Sequence, residues 1–157
     1  MPLRAGDPLP SVILPSHDGQ QLSLEEAAGG RSLVVLFFPL AFTSTCTEEM
    51  CTMGRELPTY GELDANVAAI SVDSPMVLKR FRAECDADFL FLSDFNREAS
   101  RAFGVLREVP LGPGLRNVSN RAAFVFDPSG EAVYAWHSED PGELPPFDRI
   151  QEALRAL

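Results

Sequence analysis

The chain has 157 residues, of which 45% are hydrophobic and 23% charged, a composition typical of one globular domain. We therefore expect a single domain over residues 1–157. Its 13 basic and 23 acidic residues give a net charge of −10 at pH 7. So acidic a chain repels phosphate backbones and anionic lipids, and we expect neither nucleic acid nor a membrane as its partner.

The amino terminus lacks the apolar segment of a secretory signal, and the longest apolar run, at 33–42, is about half of a membrane span. Three cysteines without such a signal do not predict a framework of structural disulfides. These features favour a reducing, cytoplasmic compartment. There a cysteine is a metal ligand, a nucleophile or a core residue.

The predicted elements alternate between strands and helices. Asp18-Gly19 suits a tight turn between two short strands, which predicts an N-terminal hairpin. The apolar, β-branched run at 32–38 is typical of a strand that is buried on both faces, and Pro39 ends it. Apolar residues then recur at helical spacing from Thr47, and we expect Pro58 to end or kink that helix.

The second half of the chain continues the alternation and adds a late hairpin. Ser74-Pro75 predicts a helix start, because serine caps helices and proline suits their first position. The other predicted elements are strands at 67–72 and 89–92, helices at 75–85, 97–103 and 147–157, a loop at 106–119, and hairpin strands at 121–127 and 132–136. This order predicts an α/β fold in which helices cover both faces of a mixed central sheet.

The segment around Cys46 carries the strongest chemical signal. Thr45 and Glu48 have the spacing of a capping box, which would make Cys46 the first helical residue. Backbone N–H groups and the helix dipole at that position favour a thiolate, which is the nucleophilic form of cysteine. The negative charges of Glu48 and Glu49 disfavour a thiolate at this position, so the thiolate requires a nearby cation. The alternative is a buried structural cysteine.

The motif Pro39-x-x-x-Thr43-x-x-Cys46 is similar to the active-site motif of the peroxiredoxin family. The resemblance extends over nearly the whole chain, and the further matching segments are 70–75, 91–94, 102–105 and 120–127. The run from Phe38 to Thr43 resembles the AhpE-like branch, whereas Cys46-x4-Cys51 resembles the bacterioferritin-comigratory-protein (peroxiredoxin Q) branch. This resemblance implies a thioredoxin-like fold and a thiol peroxidase that reduces hydrogen peroxide and organic hydroperoxides.

The resemblance also implies roles for individual residues. Cys46 would attack the peroxide, Thr43 would hydrogen-bond the thiolate and the substrate, and Pro39 would shield the pocket. Arg121 matches the catalytic arginine of the family, and Glu49 matches a carboxylate that orients it. A guanidinium stays charged and holds its donors in a fixed fork, so it can stabilise the charge that develops as an O–O bond breaks.

Cys51 resembles a resolving cysteine, which would trap the Cys46 sulfenic acid as a disulfide. The alternative is that Cys51 is only a small helical residue and that the enzyme uses one cysteine. In a regular helix, Cα atoms five positions apart are roughly 8.6 Å from each other, whereas a disulfide needs about 7 Å or less. A 46–51 disulfide therefore requires local unwinding. We expect Cys85 to be structural, and Gly54 stands where related sequences often have an arginine.

The reductant stays open at this point. Thioredoxin would suit an internal disulfide, whereas a glutaredoxin-like protein with a small thiol would suit the one-cysteine alternative. The sequence does not distinguish a monomer from a homodimer, and it implies no metal or cofactor. A module that binds a soft metal through Cys46 and Cys51 is the alternative from another class. A thioredoxin-type oxidoreductase is disfavoured because Cys-x-x-Cys is absent.

Overall fold

The computed structural model describes residues 2–157, which form seven strands and five helices. The strands are β1 (Ile13–Pro15), β2 (Gln21–Ser23), β3 (Ser32–Phe37), β4 (Ala65–Ser71), β5 (Leu90–Ser93), β6 (Arg121–Phe126) and β7 (Ala132–Ser138). The helices are α1 (Leu24–Ala28), α2 (Ser44–Glu62), α3 (Pro75–Glu84), α4 (Glu98–Ala102) and α5 (Phe147–Arg155). The predicted N-terminal hairpin is confirmed as the antiparallel pair of β1 and β2.

The five other strands form one mixed sheet in the order β5-β4-β3-β6-β7. β3 and β4 are parallel, as are β4 and β5, whereas β6 is antiparallel to both β3 and β7. Phe37 near the end of β3 pairs with Ile70 on one side and with Ala122 on the other. The carboxyl ends of β3 and β4 therefore meet the amino end of β6 at one edge of the sheet.

Helices cover both faces of the sheet, as predicted. Along β3, Val34 and Leu36 face the cluster that includes residues of α2, α3 and α5, whereas Val35 and Phe37 face the cluster that includes residues of α1 and α4. Successive strand residues point to opposite faces, so an uninterrupted apolar strand can supply two cores at once. This is the physical reason for the continuous apolar run in the sequence.

The prediction for α2 is wrong at its start, and Pro58 does not end the helix. The helix begins at Ser44, three residues earlier than the apolar spacing indicates, and it continues through Pro58 to Glu62. A kink at Pro58 stays a prediction. Tyr60, which follows the proline, is fully buried against the core. We attribute the continuation to this packing, which offsets the cost of a proline inside the helix. Across residues 2–157, no helix is long and apolar enough to cross a membrane.

Candidate active site

Cys46 lies in the first turn of α2, just beyond the loop that leaves β3. The helix has Thr43 as its N-cap, so the predicted capping box of Thr45 and Glu48 is wrong and Cys46 is the third helical residue. The chain turns at Phe42, whose φ of 66° belongs to the left-handed region, and the helical geometry therefore starts early. The N–H of Cys46 is still among those that lack an intrahelical acceptor, and its side chain is only 1% exposed.

Two polar residues that the sequence analysis did not single out hold this loop in place. The hydroxyl of Ser119 donates to the carbonyl of Phe38 at 3.1 Å, and the N–H of Ala41 donates to the carboxylate of Asp73 at 2.8 Å. Asp73 follows β4 and Ser119 precedes β6, so both lie at the sheet edge where β3 ends. Their positions in the sequence could have identified these two residues, because each is a polar residue next to a strand that ends at this edge of the predicted sheet.

Arg121 is the first residue of β6, and its side chain is 1% exposed. One terminal nitrogen, Nη2, donates to the Sγ of Cys46 at 3.2 Å and to the carbonyl of Pro141 at 2.8 Å. The other, Nη1, donates to the carboxylate of Glu49. Cys46 and Glu49 are three residues apart on one face of α2, so a single guanidinium reaches both. The structure thus brings together three of the predicted site residues.

Burial and the neighbouring charges act in opposite directions on the pKa values in this cluster. Glu49 is 0% exposed, and burial raises the pKa of its carboxyl to about 7, although the charge and hydrogen bond of Arg121 act in the opposite direction. Burial acts to lower the pKa of Arg121, but Glu49 and Cys46 outweigh it, so the pKa of the guanidinium is raised. Arg121 is therefore a permanent cation, and it lies beside the Cys46 sulfur, where a thiolate would require a positive charge.

The other two residues of the predicted motif are placed differently. Pro39 is buried two residues after the end of β3, in the loop that leads to Cys46. Thr43 is exposed, and its hydroxyl donates to the carbonyl of Leu40 at 3.0 Å. In this arrangement the hydroxyl is engaged within its own loop. A hydrogen bond from Thr43 to the thiolate stays a prediction, and it requires the side chain to rotate.

The remaining cysteines lie where α2 meets the end of α3. Cys51 is half-buried on α2, and Cys85 is the C-cap residue of α3 with 5% of its surface exposed. All three cysteines are free thiols. Burial first, and then the neighbouring thiol of Cys51, raises the pKa of Cys85 to about 12. The sequence analysis predicted a structural role for Cys85 but not its contact with Cys51.

The chain matches the AhpC/TSA family over residues 5–135. It is 33% identical to peroxiredoxin Bcp of Escherichia coli over 135 residues, which cover 86% of each chain. It is 32% identical to alkyl hydroperoxide reductase E of Mycobacterium bovis over 157 residues, which cover 99% of this chain and 98% of that protein.

Solved structures show the same likeness. The crystal structure of peroxidoxin BcpB from Mycobacterium tuberculosis has a TM-score of 0.85 at 27% identity and covers 99% of this chain and 98% of its own. Peroxiredoxin Q from Xanthomonas campestris has a TM-score of 0.81 at 27% identity and covers 94% of this chain and 96% of its own. These matches confirm the thioredoxin-like fold and the peroxiredoxin resemblance. The chain therefore belongs to the AhpC/TSA family and is a peroxiredoxin, a thiol-dependent peroxidase.

Proposed function

We propose that Cys46 is the peroxidatic cysteine of this enzyme and that Arg121 activates it. The observation that carries this assignment is the 3.2 Å contact between Nη2 of Arg121 and Sγ of Cys46. Both residues are buried, so water is excluded from this contact. A desolvated cation stabilises an adjacent anion far more strongly than an exposed one does. Cys46 also lies at the positive end of the α2 dipole, which adds to the effect.

In the first step, the Cys46 thiolate attacks one oxygen of hydrogen peroxide or an organic hydroperoxide. An S–O bond forms, the O–O bond breaks, and the leaving oxygen departs as hydroxide or alkoxide that takes up a proton. Arg121 donates hydrogen bonds toward this developing charge, and Glu49 keeps the guanidinium in position. Thr43 would assist as a second donor after rotation of its hydroxyl, and Pro39 would shield the sulfur from water.

In the second step, Cys51 attacks the sulfur of the Cys46 sulfenic acid. An S–S bond forms, the S–O bond breaks, and the hydroxide leaves as water after protonation. Because α2 is continuous from Ser44 to Glu62, the two cysteines lie on one helix and the roughly 8.6 Å Cα separation of a regular helix applies. This turn must therefore open before the disulfide can form. If it does not open, the one-cysteine mechanism holds, and an external thiol or glutaredoxin-like protein recycles Cys46.

A thioredoxin-type dithiol protein of the cytoplasm is the reductant that this mechanism favours. Opening of α2 would uncover Met50 and Met53, which are both fully buried in the closed form. Newly exposed apolar surface beside a disulfide distinguishes the oxidised enzyme from the reduced one, and a reductase could bind to it. The whole chain, residues 1–157, would act as one domain, either as a monomer or as a homodimer.

The soft-metal alternative has less support. Within the part of the chain that the structure describes, no three His, Cys, Asp or Glu side chains are grouped as metal ligands. The positive charge of Arg121 beside Cys46 also opposes the binding of a metal cation at that sulfur.

The experiment that tests the assignment is peroxide consumption by the Cys46→Ser variant in the presence of a reductant. We expect turnover to disappear, because an alcohol at this position is not ionised, while the thermal unfolding curve stays close to that of the wild type. Thr52→Ser, a change on the same helix outside the cysteine site, serves as the matched control and should keep full activity. Retained turnover in Cys46→Ser would refute the assignment.

A further inference from the structure

Where α2 contacts the end of α3, the thiols of Cys51 and Cys85 are neighbours. This pair is separate from the contact of Cys46 with Arg121. Thr47, Cys51 and Gly54 follow one another at spacings of four and three residues, so they share one face of α2. Cys85 packs on this face, and its Sγ donates to the carbonyl oxygen of Thr47 at 3.9 Å. Cys51 lies one helical turn beyond that carbonyl.

Gly54 makes this close approach possible. A Cβ atom at position 54 would lie 3.2 Å from the Cα of Ala87 and 3.3 Å from the carbonyl oxygen of Asp86. Both distances are shorter than an ordinary van der Waals contact, so a side chain would push the 85–87 segment away from α2 by a few tenths of an ångström. The absence of a side chain thus keeps Cys85 against the turn that carries Cys51.

The two thiols are also neighbours. After burial, the nearby Cys51 is the main cause of the raised pKa of Cys85, and both residues pack into the core cluster beneath α2 and α3. Cys85 is enclosed, whereas Cys51 is half-buried and reaches the surface. Paired thiols of this kind, one of them accessible, are suited to hold a disulfide that a reductant can reach.

We propose that Cys51 and Cys85 form a second redox-active pair, to which the disulfide first formed at Cys46 is transferred. This inference rests on the proposed function, in which Cys51 resolves the sulfenic acid of Cys46. The oxidised end state would then be a 51–85 disulfide that links α2 to the end of α3, with Cys46 returned to the thiolate form.

The transfer is a thiol–disulfide exchange and needs no further oxidant. Cys85 loses its proton to solvent, and its thiolate attacks the Sγ of Cys51 in the 46–51 disulfide. The bond between Cys51 and Cys85 forms, the bond between Cys46 and Cys51 breaks, and Cys46 leaves as a thiolate. Arg121 stabilises that leaving group, since it already donates to the same sulfur in the reduced enzyme.

The opening of α2 that permits the first disulfide also prepares the second step. Thr47, whose carbonyl accepts from Cys85, lies between Cys46 and Cys51 in the turn that must unwind. Unwinding withdraws this carbonyl and admits water, which removes the main cause of the raised pKa of Cys85, its burial. Once the disulfide has moved to Cys85, the first turn of α2 can refold with Cys46 beside Arg121.

The test is a titration with hydrogen peroxide in the absence of any reductant, quenched with N-ethylmaleimide and followed by peptide mapping under non-reducing conditions. With one equivalent of peroxide, we expect the wild type to end with a 51–85 disulfide and an alkylated Cys46. With excess peroxide, the wild type should consume about two equivalents rapidly, because the regenerated Cys46 reacts again, whereas Cys85→Ala should stop at about one. Ala83→Ser, an exposed change on α3, is the matched control and should keep the value of the wild type.

The outcomes separate this inference from the proposed function. If the first equivalent is consumed but the disulfide remains 46–51, or forms between Cys46 and Cys85, the transfer is refuted while Cys46 stays peroxidatic. If no peroxide is consumed and Cys46 stays unmodified, both proposals fail. The mapping of the wild type decides between transfer and its absence even if Cys85→Ala does not fold.

Discussion

Cys46 and Cys85 are buried to nearly the same extent, with 1% and 5% of their surfaces exposed, yet their surroundings are opposite. A buried guanidinium donates to the sulfur of Cys46. Cys85 instead meets a backbone carbonyl and a second thiol, and its pKa is raised to about 12, first by burial and then by Cys51 and the charge of Glu84. Two cysteines that are equally buried therefore have different electrostatic surroundings, and the mechanism proposed above attributes the reactivity of Cys46 to the cation that is buried with it.

The largest expected effect is a slower oxidation of Cys46 when the cation of Arg121 is removed. We expect Arg121→Met to slow the oxidation of Cys46 by about 10²–10³-fold, or about 3–4 kcal/mol, which is typical when one preorganised donor is lost. Stopped-flow oxidation by hydrogen peroxide measures this rate. Arg101→Met, which removes an exposed arginine of α4, is the matched control. An unchanged rate in Arg121→Met would mean that burial without a cation suffices, and the contrast with Cys85 would fail.

Arg121→Met also leaves the carboxylate of Glu49 buried without its partner, which can lower stability by itself. The double variant Arg121→Met/Glu49→Gln removes both charges and keeps the two shapes similar. We expect it to recover most of the lost stability but none of the lost rate. Recovery of the rate would show that the single variant was slow only because its site was distorted.

Glu49, beside Cys46, should make the free energy of unfolding of the protein depend on pH. Burial raises the pKa of Glu49 from 4.5 to about 7, so the folded protein binds the extra proton between these values. Stability should therefore fall as pH rises through this window, by up to about 3 kcal/mol. Chemical denaturation at pH 5 and pH 8 measures the change. Glu49→Gln should show a smaller fall, and an equal fall in both proteins would contradict the assignment of this titration to Glu49.

The close packing at the Cys85 site should respond to the loss of a glycine. In Gly54→Ala, overpacking against Asp86 and Ala87 should outweigh the better helix propensity of alanine, with a net loss of about 1 kcal/mol. Gly61 lies on the same helix, and a Cβ there would meet nothing within 4 Å. Gly61→Ala should therefore gain about 0.5–1 kcal/mol. Denaturant midpoints compare the two, and a stabilised Gly54→Ala would show that the contact is not tight.

The most local expected effect is on the dynamics of α2. When the 46–51 disulfide is trapped in the Cys85→Ala variant, amide exchange over residues 44–58 should be about tenfold faster or more than in the dithiol form. The reason is that the two cysteines cannot bond while this turn is helical. Hydrogen-exchange mass spectrometry measures the difference. Equal protection in both forms would show that the disulfide forms without unwinding of this turn, whereas failure of the 46–51 disulfide to form in this variant would support the one-cysteine mechanism.

Local patterns in the sequence predicted most of the elements. The hairpin turn at Asp18-Gly19, the strand predicted at 32–38 and the start of α3 at Ser74-Pro75 follow from local patterns. The structure contains all three, with the strand ending one residue earlier, at Phe37. The start of α2 was misplaced because Phe42 adopts a positive φ, which a bulky residue rarely does. No pattern in the chain announces that backbone conformation. This conformation occurs in the loop that Asp73, after β4, and Ser119, before β6, hold by hydrogen bonds.

The amino-acid sequence alone predicts the fold class and the candidate nucleophile Cys46, because a buried strand, a helix start and a motif of a few residues are all short-range features. What surrounds that cysteine depends on the tertiary structure. Arg121 is 75 residues away from Cys46 in the chain, and its burial and donor geometry depend on the register of β3 against β6. The contact of Cys85 with α2 likewise spans 38 residues and depends on the close approach at Gly54. Charge and solvent exclusion are properties of a packed neighbourhood, so the surroundings of each thiol arise only when segments distant in the chain pack together.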